Sequence, residues 1–336
     1  MPSTSGSNGR VIGYIDLFCG IGGFRLAAEM VAEDMGVSAK CRLSSDIDAR
    51  CQDAYEANFG ERPLGDIQRI PAESVPGHDL LLAGFPCQPF SIIGHRRGFG
   101  DTRGTLFFDI ARILDGKRPA CFVLENVKML EGHDKGRTLK RILEVLGEMG
   151  YATDYRVLNA LDFGLPQKRE RIFIVGFRDA RRFEWPEGGV PMRPLDDLLE
   201  DDVPEQYFAS EYIRANRRKK HPPTEETTIW HENRAGHISA YPFSCALRAG
   251  ASYNYLLVNG ERRLTPREML RLQGFPDAFK IVCNYSQTRK QAGNSLPVAV
   301  ARAVLRKVFE AQGWRSLQHR NTARTKRIPS KAPGSF

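Results

Sequence analysis

The sequence predicts an α/β protein with a doubly wound, mostly parallel β-sheet and a second, smaller domain. Residues 11 to 177 alternate short apolar runs with amphipathic segments, beginning with VIGYIDLF and GGFRLAAEMVAEDM. This β-α-β rhythm is typical of a parallel sheet with helices on both faces. From about 178 to 263 the periodicity fades, and an acidic stretch, LEDDVPEQ, precedes a basic one, RANRRKKH. We interpret this region as a domain built for contact, against the alternative of an irregular insertion without function.

Hydrophobic spacing predicts the individual elements. Apolar runs predict strands at CRLSSDI, DLLLAG, ACFVLEN and RIFIVGF, and helical spacing predicts helices at DARCQDAYEANF, GTLFFDIARIL and RTLKRILEVLGEM. A further helix is expected at TPREMLRLQGF, with Thr265 as N-cap and Pro266 in its first turn. A last helix is expected near residues 295 to 311, opened by QAGNS.

Composition narrows the class of protein. No apolar run reaches the roughly 18 residues of a membrane span, and MPSTSGSNGR is not of signal-peptide type, so we expect a cytoplasmic protein. The seven cysteines include no C-x-x-C pair, which predicts neither a disulfide framework nor a metal site. Of the net charge of +9, six charges come from residues 315 to 336, which contain no acid. That tail is expected either to be solvated and disordered or to contact DNA without sequence preference.

A glycine-rich turn, from Asp16 to Phe24, follows the first strand. Its G-x-G-G spacing lacks the third glycine of the dinucleotide pattern, so a pyrophosphate site is not indicated. Asp46 and Asp66 each follow an apolar run and are expected beside this turn, where carboxylates accept hydrogen bonds from a ribose and an adenine amino group. With the ring of Phe18, they predict a nucleoside pocket. The alternative for either acid is a helix N-cap.

Cys87 lies in Gly84–Ser91, GFPCQPFS, directly after the strand DLLLAG. Because prolines flank it, neither strand nor helix continues through it, and a rigid loop is expected to present the thiol. The alternative is an inert core cysteine. The next segment, IIGHRRGFGDTRG, holds four glycines and four basic residues, which suits closure over an anionic ligand or an ordinary surface loop.

Two later segments carry charged residues at strand ends. The strand ACFVLEN delivers Glu125 and Asn126, and a carboxyl group in a desolvated pocket has the raised pKa that a proton donor needs. A salt bridge or a helix cap is the alternative. In QKRER, Arg169 and Arg171 are expected to point to one side and to bind phosphate or orient a base. QAGNS is expected to return to the cofactor pocket.

In order along the chain, DLFCGIGGF, GFPCQPFS, ENV, QKRER and QAGNS resemble the blocks of the C5 cytosine-specific DNA methyltransferases. The likeness spans roughly residues 11 to 310, and in length and block spacing the chain resembles the compact bacterial restriction-modification enzymes. It implies a sheet domain of the S-adenosylmethionine-dependent methyltransferase type, formed by 11–177 with 290–312. It also implies a target-recognition domain at 178–289, with duplex DNA between the two. Residues 1–10 and 313–336 are expected to be disordered.

The resemblance implies roles for the matching residues. Cys87 is the nucleophile, Glu125 the acid at the pyrimidine N3, and Arg169 the residue that orients the base, with Arg171 beside it. The implied cofactor-binding residues are Phe18, Gly20, Gly22, Gly23, Asp46, Ile47, Asp66, Ile67, Pro86, Leu106, Asn294 and Ser295. DNA contacts are expected from Gln88, Ser91, His95, Arg96, Arg97, Arg103 and Arg248.

The implied chemistry explains these residue types. Carbon 5 of cytosine is a poor nucleophile, so a thiolate adds at C6 while N3 is protonated, and the resulting enamine can attack a sulfonium methyl group. The base must first be flipped out of the duplex. Two positions depart from the family pattern: Ile47 stands where an aromatic ring is frequent, and Ala246 where a threonine is usual.

Three other interpretations stay open. A tRNA cytosine-5 methyltransferase shares nearly the same blocks, although a recognition region of about 85 residues favours DNA. A catalytically inactive DNA-binding regulator would keep the fold, but Cys87, Glu125 and Arg169 are intact. A nicotinamide-dependent oxidoreductase is disfavoured by the missing glycine. We expect a monomer acting on double-stranded DNA, alongside a cognate restriction endonuclease that cleaves the same sequence without binding the enzyme.

Overall fold

The computed structural model describes residues 11–86, 106–179 and 181–315. Segment 1–10 and all but the first three residues of the expected tail therefore lie outside the description. No helix within the described ranges is long and apolar enough to cross a membrane.

A six-stranded sheet organises the large domain, with strand order β2-β1-β3-β4-β7-β5. The pairs β1–β2, β1–β3 and β3–β4 are parallel, and β7 runs antiparallel to both of its neighbours. The expectation of a mostly parallel sheet is thus confirmed. The strands of the described chain are β1 (Val11–Leu17), β2 (Ser38–Ser45), β3 (Leu80–Gly84), β4 (Cys121–Val127), β5 (Ala152–Asn159), β6 (Gln167–Lys168), β7 (Glu170–Phe177), β8 (Ile229–Glu232), β9 (Ile238–Tyr241), β10 (Ser244–Cys245) and β11 (Leu256–Val258).

Helices cover both faces of this sheet. Successive residues of β1 enter different cores, Tyr14 on the face of α1 and α9 and Ile15 on the face of α3 and α5, because side chains of a strand alternate in direction. The helices of the described chain are α1 (Gly23–Asp34), α2 (Ala49–Phe59), α3 (Leu106–Lys117), α4 (Met129–Gly132), α5 (Arg137–Glu148), α6 (Glu211–Lys220), α7 (Pro266–Leu272), α8 (Tyr285–Asn294) and α9 (Val298–Gln312).

The region after β7 contains a separate antiparallel sheet of order β11-β8-β9, whose central strand buries Trp230 completely. Strand β10, which follows β9 along the chain, is not part of this sheet and pairs with β6, so Ser244 lies opposite Gln167. This short parallel pairing brings the segment after β10 against the large domain. Where one domain ends and the other begins stays a prediction.

Two local expectations have different outcomes. Thr265 caps α7 as expected, within a capping box shared with Glu268. QAGNS, however, does not open the last helix: it closes α8, and α9 begins only at Val298. Pro297 disfavours helical backbone in Leu296, so one helix does not continue through this point. Ser295, the C-cap of α8, is already extended, with φ −66° and ψ 152°.

Strand β5 is an element that the sequence pattern did not indicate. It pairs along its whole length with β7 at the edge of the sheet. Most of its side chains are exposed or half-buried, so apolar and polar residues do not alternate clearly along it.

A buried ion pair ties α7 to the region before it. Both nitrogens of the Arg262 fork donate to Glu268, at 2.9 and 2.8 Å, and the backbone N–H groups of Thr265 and Glu200 donate to the same carboxylate. Glu268 is fully buried. Removing a carboxylate in this position leaves the Arg262 charge buried without a partner.

Glu268→Ala should therefore lower the free energy of unfolding by about 3 to 5 kcal/mol. The measurement is the free energy of unfolding from urea denaturation, compared between proteins that have the same m value. Arg141→Met is the matched control, since Arg141 forms exposed ion pairs with Glu144 and Glu148; it should cost less than about 1 kcal/mol. Similar losses in both variants would contradict the importance of the buried pair.

Candidate active site

The glycine-rich turn after β1 has one open side. Phe18 and Gly20 both have a φ of 54°, and Gly22, the N-cap of α1, has a φ of 89°. A Cβ on Gly22 would lie 2.2 Å from the ring of Phe59, whereas nothing lies within 4 Å of a Cβ position on Gly20. The backbone at Gly20 is thus accessible to a ligand.

Asp46 lies beside this turn, as expected from the sequence. Its carboxylate accepts the backbone N–H of Gly20 and that of Asp48, both at 2.8 Å. Burial raises the pKa of Asp46, and these two N–H groups oppose that rise. The neighbouring Ile47 has a side chain that is 77% exposed, which leaves an apolar surface uncovered next to a fixed carboxylate.

Asp66 has the helix N-cap role considered for it, and its role as a cofactor-binding residue stays a prediction. It caps a short 3-10 helix by accepting the backbone N–H of Gln68 at 3.0 Å, and its other oxygen lies 3.8 Å from Nε of Arg69. A carboxylate has about four lone-pair sites, so acceptor capacity remains. The side chain of Ile67 is buried in the core, which leaves only its backbone available to a ligand.

The end of α8 reaches the same place. A Cβ on Gly23 would lie 3.2 Å from Ser295 Oγ, so these two segments are in close contact. Asn294 is exposed, and Gln291 Nε2 donates to the carbonyl of Arg50 at 2.9 Å. The structure thus brings the glycine turn, the loop of Asp46 and QAGNS together.

Glu125 lies at the end of β4, where the parallel register sets it opposite Gly84 of β3. Arg171 Nε donates to Glu125 Oε1 at 2.9 Å, and both side chains are nearly buried. Burial raises the pKa of Glu125, and the charges of Arg171 and Arg169 oppose that rise. Here the ion pair expected as an alternative role is present, and it coexists with a raised pKa.

Asn126 fixes the chain that leads to Cys87. Its Nδ2 donates to the carbonyl of Phe85 at 2.9 Å, and both residues are buried. Pro86, which follows, is exposed, and Leu106 is half-buried at the start of α3. Outside the described residues lie Cys87, Gln88, Ser91, His95, Arg96, Arg97 and Arg103.

Arg169 has contacts that disfavour the role expected for it. It is 1% exposed. Its Nη1 donates to the carbonyl of Leu247 at 2.9 Å, and its Nη2 to those of Gly293, at 2.9 Å, and Ser295, at 2.5 Å. Both ends of the guanidinium fork are therefore engaged by backbone, and Arg171 is the arginine paired with Glu125. The expectation that Arg169 orients a base stays a prediction.

Gln167 is a buried residue of this region to which the sequence pattern assigned no role. Its Oε1 accepts the N–H of Leu247 at 3.0 Å, and its Nε2 donates to the carbonyl of Leu272 at 2.8 Å. Arg248, expected to contact DNA, follows Leu247 and has an exposed side chain over the ring of Tyr255. A buried glutamine thus holds the segment that presents Arg248.

A comparison with known families decides what this arrangement belongs to. The sequence model of the C-5 cytosine-specific DNA methylases matches residues 12–310. The chain belongs to the C5 cytosine-specific DNA methyltransferases. It is an S-adenosylmethionine-dependent enzyme that methylates cytosine in DNA, as the resemblance implied.

Individual relatives agree with this assignment. The Type II methyltransferase M.NgoBI of Neisseria gonorrhoeae is 57% identical over 296 residues, 86% of this chain and 90% of that protein. M.HhaI of Haemophilus parahaemolyticus is 38% identical over 307 residues, 85% of this chain and 91% of that protein. The fold is similar to the crystal structure of the S. pombe Dnmt2 methyltransferase, with a TM-score of 0.69, 19% identity and coverage of 91% of this chain and 100% of that one.

The residues around the turn of this methyltransferase fit S-adenosylmethionine. Asp46 and Asp66 retain acceptor capacity for ribose hydroxyls and an adenine amino group. The exposed side chain of Ile47 offers an apolar surface for a ring, and the open side of Gly20 leaves room beside the backbone. When bound, the cofactor supplies an electrophilic methyl group.

Asp16 of the methyltransferase is an unusual acid near the turn. It is fully buried, and neither carboxylate oxygen has a hydrogen-bond partner of normal geometry among the described residues. Burial raises the pKa of Asp16 to about 8, against the opposing effect of the charge and backbone N–H of Arg25. The folded enzyme therefore carries Asp16 mainly in its neutral form at pH 7.

Asp16→Asn should change how stability depends on pH. Between the ordinary pKa of 3.8 and the raised pKa of about 8, the folded chain holds a proton on Asp16 that the unfolded chain has lost. In that window this group lowers the free energy of unfolding by up to about 1.4 kcal/mol per pH unit as pH rises. The variant lacks that slope. Its free energy of unfolding, measured by urea denaturation, should therefore increase relative to that of the wild type as pH rises.

Asp115→Asn is the control, because Asp115 is an exposed acid on α3. Its difference from the wild type should stay constant across the same pH range. A constant difference for Asp16→Asn as well would mean that Asp16 is ionised in the folded enzyme.

Proposed function

We propose that this enzyme methylates C5 of a cytosine flipped out of a specific sequence in double-stranded DNA, with Cys87 as covalent nucleophile. Glu125 is the proton donor at N3 of the cytosine, and Arg171 orients the base. The observation that carries the proposal is the buried pair of Glu125 and Arg171, level with the end of β3, from which the chain continues to Cys87.

The division of labour follows from the chemistry. The Cys87 thiolate adds to C6 of the flipped base, and its electron pair forms the new C–S bond while N3 takes the proton of Glu125. After methyl transfer, a base removes the proton at C5, its electron pair forms the C5–C6 double bond as the C–S bond breaks, and the thiolate leaves. N3 returns its proton to Glu125. A buried carboxyl with a raised pKa is protonated at a pH where an exposed glutamate is ionised, which suits the first step.

Arg171 suits the orienting role better than Arg169. Its Nε holds Glu125, and its Nη1 donates to the carbonyl of Glu170 at 2.8 Å. These two contacts fix the plane of the guanidinium, which retains further N–H groups that can donate to a base.

The biological setting is proposed from the relatives. The similar proteins of Neisseria gonorrhoeae and Haemophilus parahaemolyticus are Type II methyltransferases. We infer that this chain is the modification enzyme of a restriction-modification system, acting in the cytoplasm as a monomer, with an endonuclease of the same specificity that does not bind it. The segment 88–103 and Arg248 contribute the contacts with DNA.

The deciding experiment is to identify and then trap the target. Bisulfite sequencing of DNA from cells that express the protein gives the methylated sequence. A duplex with 5-fluorocytosine at that position should then form a covalent adduct with the wild type. Tight DNA binding without methylation or adduct would favour a DNA-binding regulator, and methylation of tRNA instead of duplex would favour the tRNA enzyme.

Cys87→Ala should abolish methyl transfer and adduct formation, because no other side chain is proposed to add to C6. Binding of S-adenosylmethionine, measured by calorimetry, should stay within about two-fold of the wild type, a small change on the scale of affinities. Cys245→Ala is the matched control and should retain activity, since Cys245 lies on β10 and is half-buried. Measurable turnover by Cys87→Ala would remove this cysteine from its role.

Glu125→Gln should lower kcat by about 100-fold or more, because general acid catalysis typically contributes that much. In the wild type, kcat/KM should fall as pH rises through the raised pKa of Glu125. Since Arg171 lowers that pKa, Arg171→Met should move the falling limb to higher pH. The measurement is transfer of labelled methyl groups to the target duplex over a pH series.

Glu170→Gln is the matched control for this prediction, because Glu170 forms a partly exposed ion pair with Lys128. It should keep both kcat and the pH limb. Activity of Glu125→Gln close to that of Glu170→Gln would exclude Glu125 as the acid.

A further inference from the structure

Helix α8 contacts the cofactor side of the enzyme through one set of side chains. Lys290 Nζ lies 2.7 Å from Asp48 Oδ2, and Gln291 donates to the carbonyl of Arg50. Asp48 in turn donates its backbone N–H to Asp46, the carboxylate that also holds Gly20. Lys290 is therefore connected to the glycine turn through two successive acids.

Adjacent residues of α8 contact the segment 246–255, which we call the recognition segment. Arg289 Nη1 donates to the carbonyl of Ala251 at 2.7 Å, and its guanidinium carbon lies 4.4 Å from the ring centroid of Tyr253. The hydroxyl of Tyr253 donates to Ser286 Oγ at 3.0 Å. The recognition segment is thus attached to α8 at Ala251 and Tyr253.

The C-terminal end of α8 is pressed against the same segment. A Cβ on Gly293 would lie 2.4 Å from the backbone nitrogen of Ala249 and 2.8 Å from the carbonyl carbon of Arg248. Arg169 joins the carbonyls of Gly293 and Leu247. A backbone approach that leaves no room for a Cβ on Gly293 leaves little freedom for α8 and the recognition segment to move separately.

We propose that α8 couples the cofactor pocket to the recognition segment, so that cofactor and target DNA bind cooperatively, with Lys290 and Arg289 as positioning residues. A ligand in the pocket contacts the loop of Asp46 and Asp48, which its own hydrogen bonds hold rigid. Lys290 holds α8 to that loop, and Arg289 holds the segment that carries Arg248. This inference rests on the proposed function, because it takes Arg248 as a DNA contact. Coupling of this kind is reciprocal between the two ligands.

The test measures binding without catalysis. The affinity of the target duplex is measured with and without S-adenosylhomocysteine, the product that has no methyl group to transfer, and the ratio of the two dissociation constants is the coupling factor. In the wild type we expect a factor between about 5 and 150. Arg289→Met and Lys290→Met should each reduce it at least three-fold, and the double variant should reduce it no further than the stronger single variant, because both act in one path.

Loss of coupling can be distinguished from damage to one binding site by the affinity for each ligand alone. Arg289→Met should leave the affinity for S-adenosylhomocysteine alone unchanged, and Lys290→Met should leave the affinity for the duplex alone unchanged. The effect of DNA on the affinity for S-adenosylhomocysteine should fall by the same factor as the reverse effect. Arg289→Lys, which keeps a donor for Ala251, should restore part of the coupling.

Arg302→Met is the matched control, since Arg302 of α9 forms an ion pair with Asp34; it should keep the wild-type factor. If Arg289→Met does not fold, Tyr253→Phe removes the bond to Ser286 from an exposed residue and should also lower the factor. A wild-type coupling factor near one would overturn the proposal. Variants that keep the wild-type coupling factor, and lose affinity only for the ligand that binds nearer to the substituted residue, would also overturn it. Methyl transfer would continue in that case, whereas failure of the proposed function would remove transfer from the wild type.

Discussion

The free-energy cost of holding Glu125 out of water is the constraint on which the site depends. An unpaired carboxylate in the centre of the sheet would be expensive, and Arg171 compensates that charge with a hydrogen bond at 2.9 Å. The pair exists because β7 runs antiparallel beside β4, a pairing that sets Val127 opposite Arg171. Reversing that one strand would move the arginine to the other end of the sheet. Strand β7, which runs antiparallel to both of its neighbours, therefore supplies the partner of the acid.

The two arginines of QKRER have separate tasks, which their surroundings explain. Arg171 lies in β7 and points to the acid, whereas Arg169 lies between β6 and β7 and points to three backbone carbonyls. Carbonyls at helix ends and in irregular segments need donors when they are buried. An arginine satisfies several of them at once and keeps the cofactor side and the recognition side together.

The sequence predicted most of the large domain, since its strands and helices have strong periodicity and clear caps such as Thr265. It predicted the place of Asp46 and Glu125 because carboxyl ends of parallel strands meet at one edge. It did not predict the contacts of Arg169, whose partners lie 78 to 126 residues away in the chain. It also missed β5 and the role of α8, because an exposed edge strand and a polar helix leave no apolar pattern.

Hydrogen bonds within the chain organise the proposed cofactor pocket. Both oxygens of Asp46 are already held by backbone N–H groups, so the carboxylate has a fixed direction, and Gly20 presents an open backbone beside it. A ligand that accepts this geometry does not have to order the loop itself, which lowers the entropic cost of binding. The same bonds connect Asp46 to Asp48, and through Lys290 to α8. A pocket made rigid in this way can transmit the effect of a bound ligand to the recognition segment. A flexible loop would instead rearrange locally and transmit no effect to α8.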